Sequence, residues 1–408
     1  MTELVRFLLA IALFAPSAPR AVSSDETLRT FDACWKRVRE LPRAQERDDV
    51  AWDELRREYR ARADAAEPGA ELRAVLNEML GEVGISHTAV LDRPTYRGMM
   101  REIAGRPTPT FGLLLEEMKP GRLFVRAMYE QGPAERAGLK LGDEVVGVGN
   151  EPPLECDDVI DAGYDPRPGA TRLFSLEPRD PGASIELLVR STSGAAPRRA
   201  RLVCEETSGL EAGRRSVRVV RRDGARVGVL HVWMMARGTG AFVQEAIRGE
   251  LATCDALVVD LRGRGGLADE IDPILAPFRA RQGRRAGHGT PAWTKPVVFL
   301  VDDRTRSAKE IAAWYVRHEG LGPLVGEKTE GAVLGAHFVP LPGENWMEMG
   351  AVEVPVKGGL SLEGVGVAPT HRVEHLRPFA RGVDPILETG LDVAAGAVAR
   401  SVRRRGPI

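Results

Sequence analysis

This 408-residue chain has no clustered cysteines and no charge of one sign, and its one apolar leader run is short. The run, Phe7 to Phe14, falls well short of the roughly 20 apolar residues a stable transmembrane anchor needs. The four cysteines, Cys34, Cys156, Cys204 and Cys254, have no metal-ligand spacing, which excludes a zinc-ribbon type of site. At most Cys156 and Cys204 could pair within one domain; otherwise scattered thiols of this kind read as plain buried residues. Lys and Arg number 57 against 58 Asp and Glu, a net charge of −1 that gives no electrostatic reason to expect nucleic acid or an anionic membrane. The triplet Arg403-Arg404-Arg405 reads as a solvated end. No internal repeat or low-complexity segment is evident.

Hydrophobic residues make up 43% and charged ones 28%, ordinary for a soluble globular protein long enough for two or three domains. Residues 1–24 have the form of a secretory signal: Arg6, the apolar run, then small residues at Ala15–Ala18 and Ala21-Val22-Ser23. The expectation is an exported protein, periplasmic or extracellular, or one held at a membrane by an uncleaved signal. Removal of residues 1 to about 23 would be read by intact mass.

Residues 25–100 are helical in pattern. Phe31, Cys34, Trp35 and Val38 recur at helical spacing, as do Trp52, Leu55 and Tyr59, then Leu72, Val75, Leu76, Met79 and Leu80. Pro42 and Pro68-Gly69 divide them into three short helices. The last delivers Ile85-Ser86-His87-Thr88-Ala89-Val90 into what reads as a strand. Residues 101–207 change to short strands spaced by turns, at 111–115, 122–125, 144–148 and 185–189. The charged 208–224 stretch reads as a linker or solvated hairpin. From 227 to 355 strands alternate with helices, the signature of an α/β layer around a largely parallel sheet.

Within that layer the run Pro296–Val301 reads as a buried strand, and Ala308 to His318 as a helix stopped by Gly320. Ser307 stands at the hand-over, where free N–H groups and the positive helix end can stabilise a developing oxyanion. Ser307-x-x-Glu310 is equally an ordinary capping box. The turn Gly263–Gly266 after strand 256–261 lets backbone N–H groups approach a substrate carbonyl, or is a simple strand exit.

The stretch Gly132-Pro133-Ala134-Glu135-Arg136-Ala137-Gly138-Leu139-Lys140-Leu141-Gly142-Asp143 resembles the signature of PDZ domains. The resemblance implies an extended peptide taken as an added strand, with the Phe111-Gly112-Leu113 turn capping its carboxylate. The alternative is a domain that only gates or braces its neighbour.

Five motifs stand in order: Ile85-Ser86-His87, Asp260-Leu261-Arg262-Gly263-Arg264-Gly265-Gly266, the Ser307 turn, Gly326-Glu327-Lys328-Thr329-Glu330-Gly331, and Leu362-Glu363-Gly364-Val365-Gly366-Val367-Ala368-Pro369. With the PDZ-like insertion they resemble the C-terminal processing (tail-specific) serine peptidases. Ala332 takes the position of the catalytic lysine used by the tail-specific branch. The present Ser86-His87 pair is similar to the tricorn-core branch, which implies Ser307 as nucleophile, His87 as base, and Ser86 and Glu363 as its supports. The N–H groups of Gly265, Gly266 and Ala308 would form the oxyanion hole. Arg264 stands where the family usually carries Asn.

The expected architecture is α/β within an α+β multidomain chain. Its parts are a signal (1–24), an N-terminal helical domain ending in the Ser-His strand (25–100) and a PDZ-like β domain (101–207). A crotonase-like α/β peptidase core (208–378) and a C-terminal helix with a basic tail (379–408) follow. The implied activity is hydrolysis of protein or peptide substrates through an acyl-enzyme, with no cofactor and no metal. The alternative is an inactive peptide-binding scaffold on the same fold. Lys309 and Lys328 are expected to be dispensable, so that their alanine variants keep most activity.

Overall fold

The computed structural model describes residues 24–162, 172–280, 289–375 and 377–405, so the expected signal peptide lies outside the described residues. Helix Ser24–Arg39 buries Phe31, Cys34 and Val38 from one face. They pack against Leu55 and Tyr59 of Trp52–Ala65 and against Leu72, Leu76, Met79 and Leu80 of Ala70–Val83. These are the expected stripes, and their spacing of three and four residues sets which faces meet. Gly84 ends the third helix in the left-handed region (φ 70°), its N–H returning to the Leu80 carbonyl. This is the αL stop that only glycine adopts without strain.

The strand expected over 85–90 begins only at Ala89. Ser86 and His87 sit in the turn before it, with His87 at φ 53°. Strand Ala89–Asp92 pairs antiparallel with Asn345–Val352, which pairs in turn with Gly335–Pro340. The helical unit therefore shares its core, including Leu334, Met347 and Met349, with a hairpin from the far end of the chain. That hairpin strand, placed by sequence at 351–355, starts six residues earlier because Met347 and Met349 alternate inward. Helix Arg93–Ile103 follows, its first turn capped by the Asp92 carboxylate accepting from Thr95 N–H at 2.7 Å.

The PDZ-like unit is a seven-stranded antiparallel sheet. Here the structure corrects the sequence. Phe111, Gly112 and Leu113 are all buried, and among the described residues no open strand edge lies beside them. Strand Leu113–Lys119 has Arg122–Met128 on one side and Leu173–Leu176 on the other.

The core sheet runs in the order Arg218–Arg222, Ala225–His231, Ala256–Asp260, Val297–Val301, Leu324–Gly326, His371–Arg372. Only the first pair is antiparallel. Strands Ala256–Asp260 and Val297–Val301 are buried along their whole length, which is why both read as unbroken apolar runs. Helices Thr239–Arg248, Ile271–Arg279 and Ala308–His318 cover one face. Helix Pro385–Arg405 covers the other with Ile386, Leu391, Ala394 and Ala395, so it is a layer of the core and not an appendage. The 208–224 stretch is more ordered than a linker: helix Gly209–Ser216, capped by Ser208, precedes the first hairpin of the sheet. All four cysteines are free. Burial pushes the Cys34 thiol up to about 12, consistent with an inert packing role. Among the described residues no helix is long and apolar enough to cross a membrane.

Candidate active site

Strand Val297–Val301 ends at Asp302, whose carboxylate shapes everything up to Ser307. Its Oδ1 accepts from Thr305 Oγ1 at 2.9 Å, from Arg304 N–H at 3.2 Å and from Gly263 N–H at 3.1 Å. One buried side chain thus ties the serine turn to the glycine turn. Ser307 follows at φ 57°, ψ −132°, a conformation an L-residue holds only when its surroundings impose it. Its N–H donates to the Ala332 carbonyl at 2.7 Å.

The capping-box possibility is thereby resolved. The Ser307 side chain makes no cap hydrogen bond. Glu310 does not reach back to it either; its buried carboxylate accepts from Thr329 Oγ1 (2.5 Å), Gly331 N–H (2.7 Å) and Ala332 N–H (2.8 Å). Burial raises the Glu310 pKa, with those donors opposing. Glu310 anchors the 329–332 segment, which in turn holds the Ser307 amide.

The glycine turn lies directly against the serine. A Cβ added to Gly265 would stand 2.5 Å from Ser307 Cβ and 3.1 Å from Ala308 N, so only glycine fits there. Gly266 adopts φ 134°, also closed to other residues. The turn is stitched to the preceding strand exit by Met235 N–H to Gly265 O (3.0 Å) and Leu267 N–H to Met235 O (2.8 Å). Among the described residues the N–H groups of Gly265, Gly266 and Ala308 donate to no backbone carbonyl. Ala308 is the first helical residue, whose N–H has no partner inside a helix.

Lys309 holds this turn from beneath, a role the sequence did not suggest. It is fully buried, and Nζ donates to the carbonyls of Arg262 (2.7 Å) and Trp233 (3.1 Å). Replacing it by alanine removes the donor that both carbonyls share, so Lys309 does not project away as a dispensable side chain would. Lys328, by contrast, is exposed as expected. Burial, aided by Arg262 and opposed by Asp260 and Asp302, pushes the Lys309 ammonium down to about 7. Between that value and the ordinary lysine range near ~10.4, the unfolded chain carries a proton that the folded one does not. Stability contributed by this group therefore rises with pH across that window. Lys309→Met should flatten the rise in unfolding free energy measured from neutral to alkaline pH; an unchanged slope would refute this protonation account.

Ser307 and His87 line one cleft of about 450 Å³, together with Gly265, Gly266 and Ala308. Ser86 Oγ lies 3.1 Å from His87 Nδ1. Glu363 takes a different place: its Oε2 accepts Val333 N–H at 2.6 Å, so it fixes the 331–335 segment and is not a wall of the cleft. The acidic side chain that does line the cleft is Glu348, 7% exposed, on strand Asn345–Val352 opposite Ala89. Burial raises its pKa, with Arg306 and Arg264 opposing. Arg264 and Arg306 also line the cleft, Arg306 within 3.4 Å of Glu330. The remaining walls are mostly apolar, among them Met99, Met100, Met234, Leu267, Ile311 and Phe338.

The PDZ-like unit meets this machinery through Arg126, buried on strand Arg122–Met128. Its guanidinium donates to Asp302 (3.0 Å) and Asp303 (2.7 Å) of the core and to Glu116 (2.6 Å) of its own sheet. Burial alone would raise the Asp302 pKa, but Arg126, with His375 and Arg262, holds it far below the usual carboxylate range.

A serine at a strained strand–helix junction thus shares one cleft with a histidine, with a glycine turn pressed against the serine, the arrangement expected from the resemblance to the C-terminal processing peptidases. Models of known families match in three places: peptidase family S41 over residues 226–373, a PDZ domain over 124–174 and the tricorn protease C1 domain over 23–81. The peptidase S41 match covers the α/β core that carries Ser307, and the tricorn C1 match covers the N-terminal helices. Tricorn protease homolog 2 of Streptomyces coelicolor is 27% identical over 372 residues, 85% of this chain and 30% of its own length. Carboxy-terminal processing protease CtpB of Bacillus subtilis is 22% identical over 360 residues, 84% of this chain and 70% of that protein. The chain thus spans less than a third of the tricorn relative. The photosystem II D1 C-terminal processing protease shares the fold, with a TM-score of 0.54 at 21% identity over 92% of this chain and 98% of that one.

Proposed function

We propose that the chain hydrolyses peptide bonds in proteins or peptides, with Ser307 as nucleophile and His87 as its base. The carrying observation is the serine in its strained turn, sharing one cleft with His87 while Gly265 lies against it. For His87 to take the serine proton at Nε2, that nitrogen must be bare, so Nδ1 carries the hydrogen and donates it to Ser86 Oγ. Ser86 then fixes the tautomer and the ring plane. Attack transfers the proton to His87 and places negative charge on the substrate oxygen, which the N–H groups of Gly265, Gly266 and Ala308 would receive. His87 returns the proton to the leaving amine, and water completes hydrolysis of the acyl-enzyme. Glu363 acts one step away, by holding Val333 and with it the cleft wall. Export, inferred from residues 1–24, belongs to the same proposal.

A fluorophosphonate probe tests the nucleophile: it should label Ser307 alone, as read by peptide mass mapping. An unlabelled, folded protein would favour the inactive scaffold.

The cleft walls further support a preference at the cut. Three methionines, flexible and polarizable, beside Phe338 and Leu267 suit large apolar side chains better than small or charged ones. In a digest of a peptide library read by mass spectrometry, Leu, Met and Phe should outrank Ala at one position flanking the cut by about tenfold in kcat/KM. Equal use of Ala and Leu there would refute the preference.

A further inference from the structure

In peptide-binding domains of the PDZ type the ligand joins the sheet as an extra strand, beside the strand that follows the carboxylate-capping turn. Here that strand is Leu113–Lys119, and the place beside it is filled. Leu173–Leu176 runs antiparallel to it, with Leu115 opposite Phe174 and Glu116 opposite Leu173. The pairing extends beyond the strand ends, since Glu117 N–H donates to Arg172 O at 3.1 Å. Phe174 and Leu176 are 5% and 2% exposed and belong to the same apolar cluster as Phe111, Leu113 and Leu115. They occupy the interior that a ligand's side chains would have to reach.

Two further contacts close the site. Gly112 N–H, in the turn that would cap a ligand carboxylate, already donates to Thr110 Oγ1 at 2.9 Å. The inserted strand is also held from outside, because Val159–Asp161 pairs with its other edge, Val159 opposite Leu176 and Asp161 opposite Phe174. It is an interior strand of the sheet, not an edge segment resting in a groove. Vacating the place would expose two large apolar side chains and break pairing on both edges, all of which an incoming peptide would have to restore.

We propose that Leu173–Leu176 is a resident, intramolecular ligand and that the PDZ-like groove is closed to substrate. The domain then works as a fixed buttress, through Arg126 on Asp302 and Asp303, and selection of substrate falls to the cleft at Ser307.

Amide exchange of the full chain carrying Ser307→Ala tests this without any turnover, independently of the peptidase assignment. Residues 113–117 and 172–176 should exchange as slowly as strand Arg122–Met128. Millimolar decapeptide ending in Leu-Ala-Ala with a free carboxylate should leave them unchanged. Deprotection of 172–176 by about tenfold when the peptide is added, or fast exchange from the outset, would overturn the proposal. A second variant reads the same point kinetically. Leu114 and Ser175 are one register step from the Leu115–Phe174 pair, so Leu114→Cys with Ser175→Cys, in a Cys156→Ser background, can lock the strand in place by a disulfide. The oxidised and reduced forms should cleave an unfolded protein and a short peptide in the same ratio, within about twofold. A fall of about tenfold in that ratio on oxidation alone, reversed by reductant, would show that the strand must leave.

Discussion

His87→Ala is expected to lower kcat/KM on a short peptide on the order of 10⁴-fold, and Ser307→Ala by a similar factor. The double variant should be no worse than either single one. A nucleophile without its base and a base without its nucleophile are equally idle, so the losses do not add. The remaining activity should come from binding and the backbone N–H groups alone. Wild-type activity should rise with pH, because only the neutral ring accepts the serine proton. Lys309 offers the competing outcome, since its amine is buried near the site and pushed down to about 7. Its Nζ, however, is engaged by Trp233 O and Arg262 O. If Lys309→Met were inactive while His87→Ala kept turnover, the base would be the lysine and the Ser–His assignment would fall.

The second large effect belongs to Arg126. Arg126→Met leaves three carboxylates, Glu116, Asp302 and Asp303, without their common cation, two of them substantially buried. Loss of one partner from a buried charge cluster costs about 3–5 kcal/mol, so the midpoint of denaturant unfolding should drop accordingly. Activity should fall further than the folded fraction does. Asp302 freed from Arg126 loses its fixed aim at Gly263 N–H and Arg304 N–H, and the glycine turn loosens beside Ser307. Arg126→Lys should rescue poorly, because an ammonium cannot reproduce the planar fork that serves all three acceptors. Full rescue by lysine would mean that charge alone matters there.

How much of this was legible in the sequence depends on how local each feature is. The helical stripes at Phe31–Val38 and Leu72–Leu80, the buried strands at 256–260 and 297–301 and the Ser307 turn are written in consecutive residues, and they fold as read. Ser307-x-x-Glu310 stayed ambiguous because a cap and a strained turn can share one sequence; only the partners of Glu310, nineteen to twenty-two residues away, decide it. Glu348 went unnoticed because its place in the cleft comes from pairing with Ala89 across the chain, which no local pattern records. Lys309 looks like any surface helix residue until the glycine turn is folded above it. The strand at 173–176 is four residues long and carries no alternation strong enough to separate it from a loop, so the PDZ-like signature was legible and its filled groove was not.

The pairing of Ala89–Asp92 with Asn345–Val352 also sets a timetable. His87 is positioned by a turn whose anchor is the last long strand of the chain, and Ser307 is held by Ala332, well after it. During synthesis His87 is therefore made early, and the strand after it gains its partner only when the hairpin at 335–352 has emerged. Contacts this distant in sequence form late, after the local helices. Under the proposed Ser307–His87 assignment, hydrolytic power would therefore appear only once the hairpin at 335–352 has paired with Ala89–Asp92.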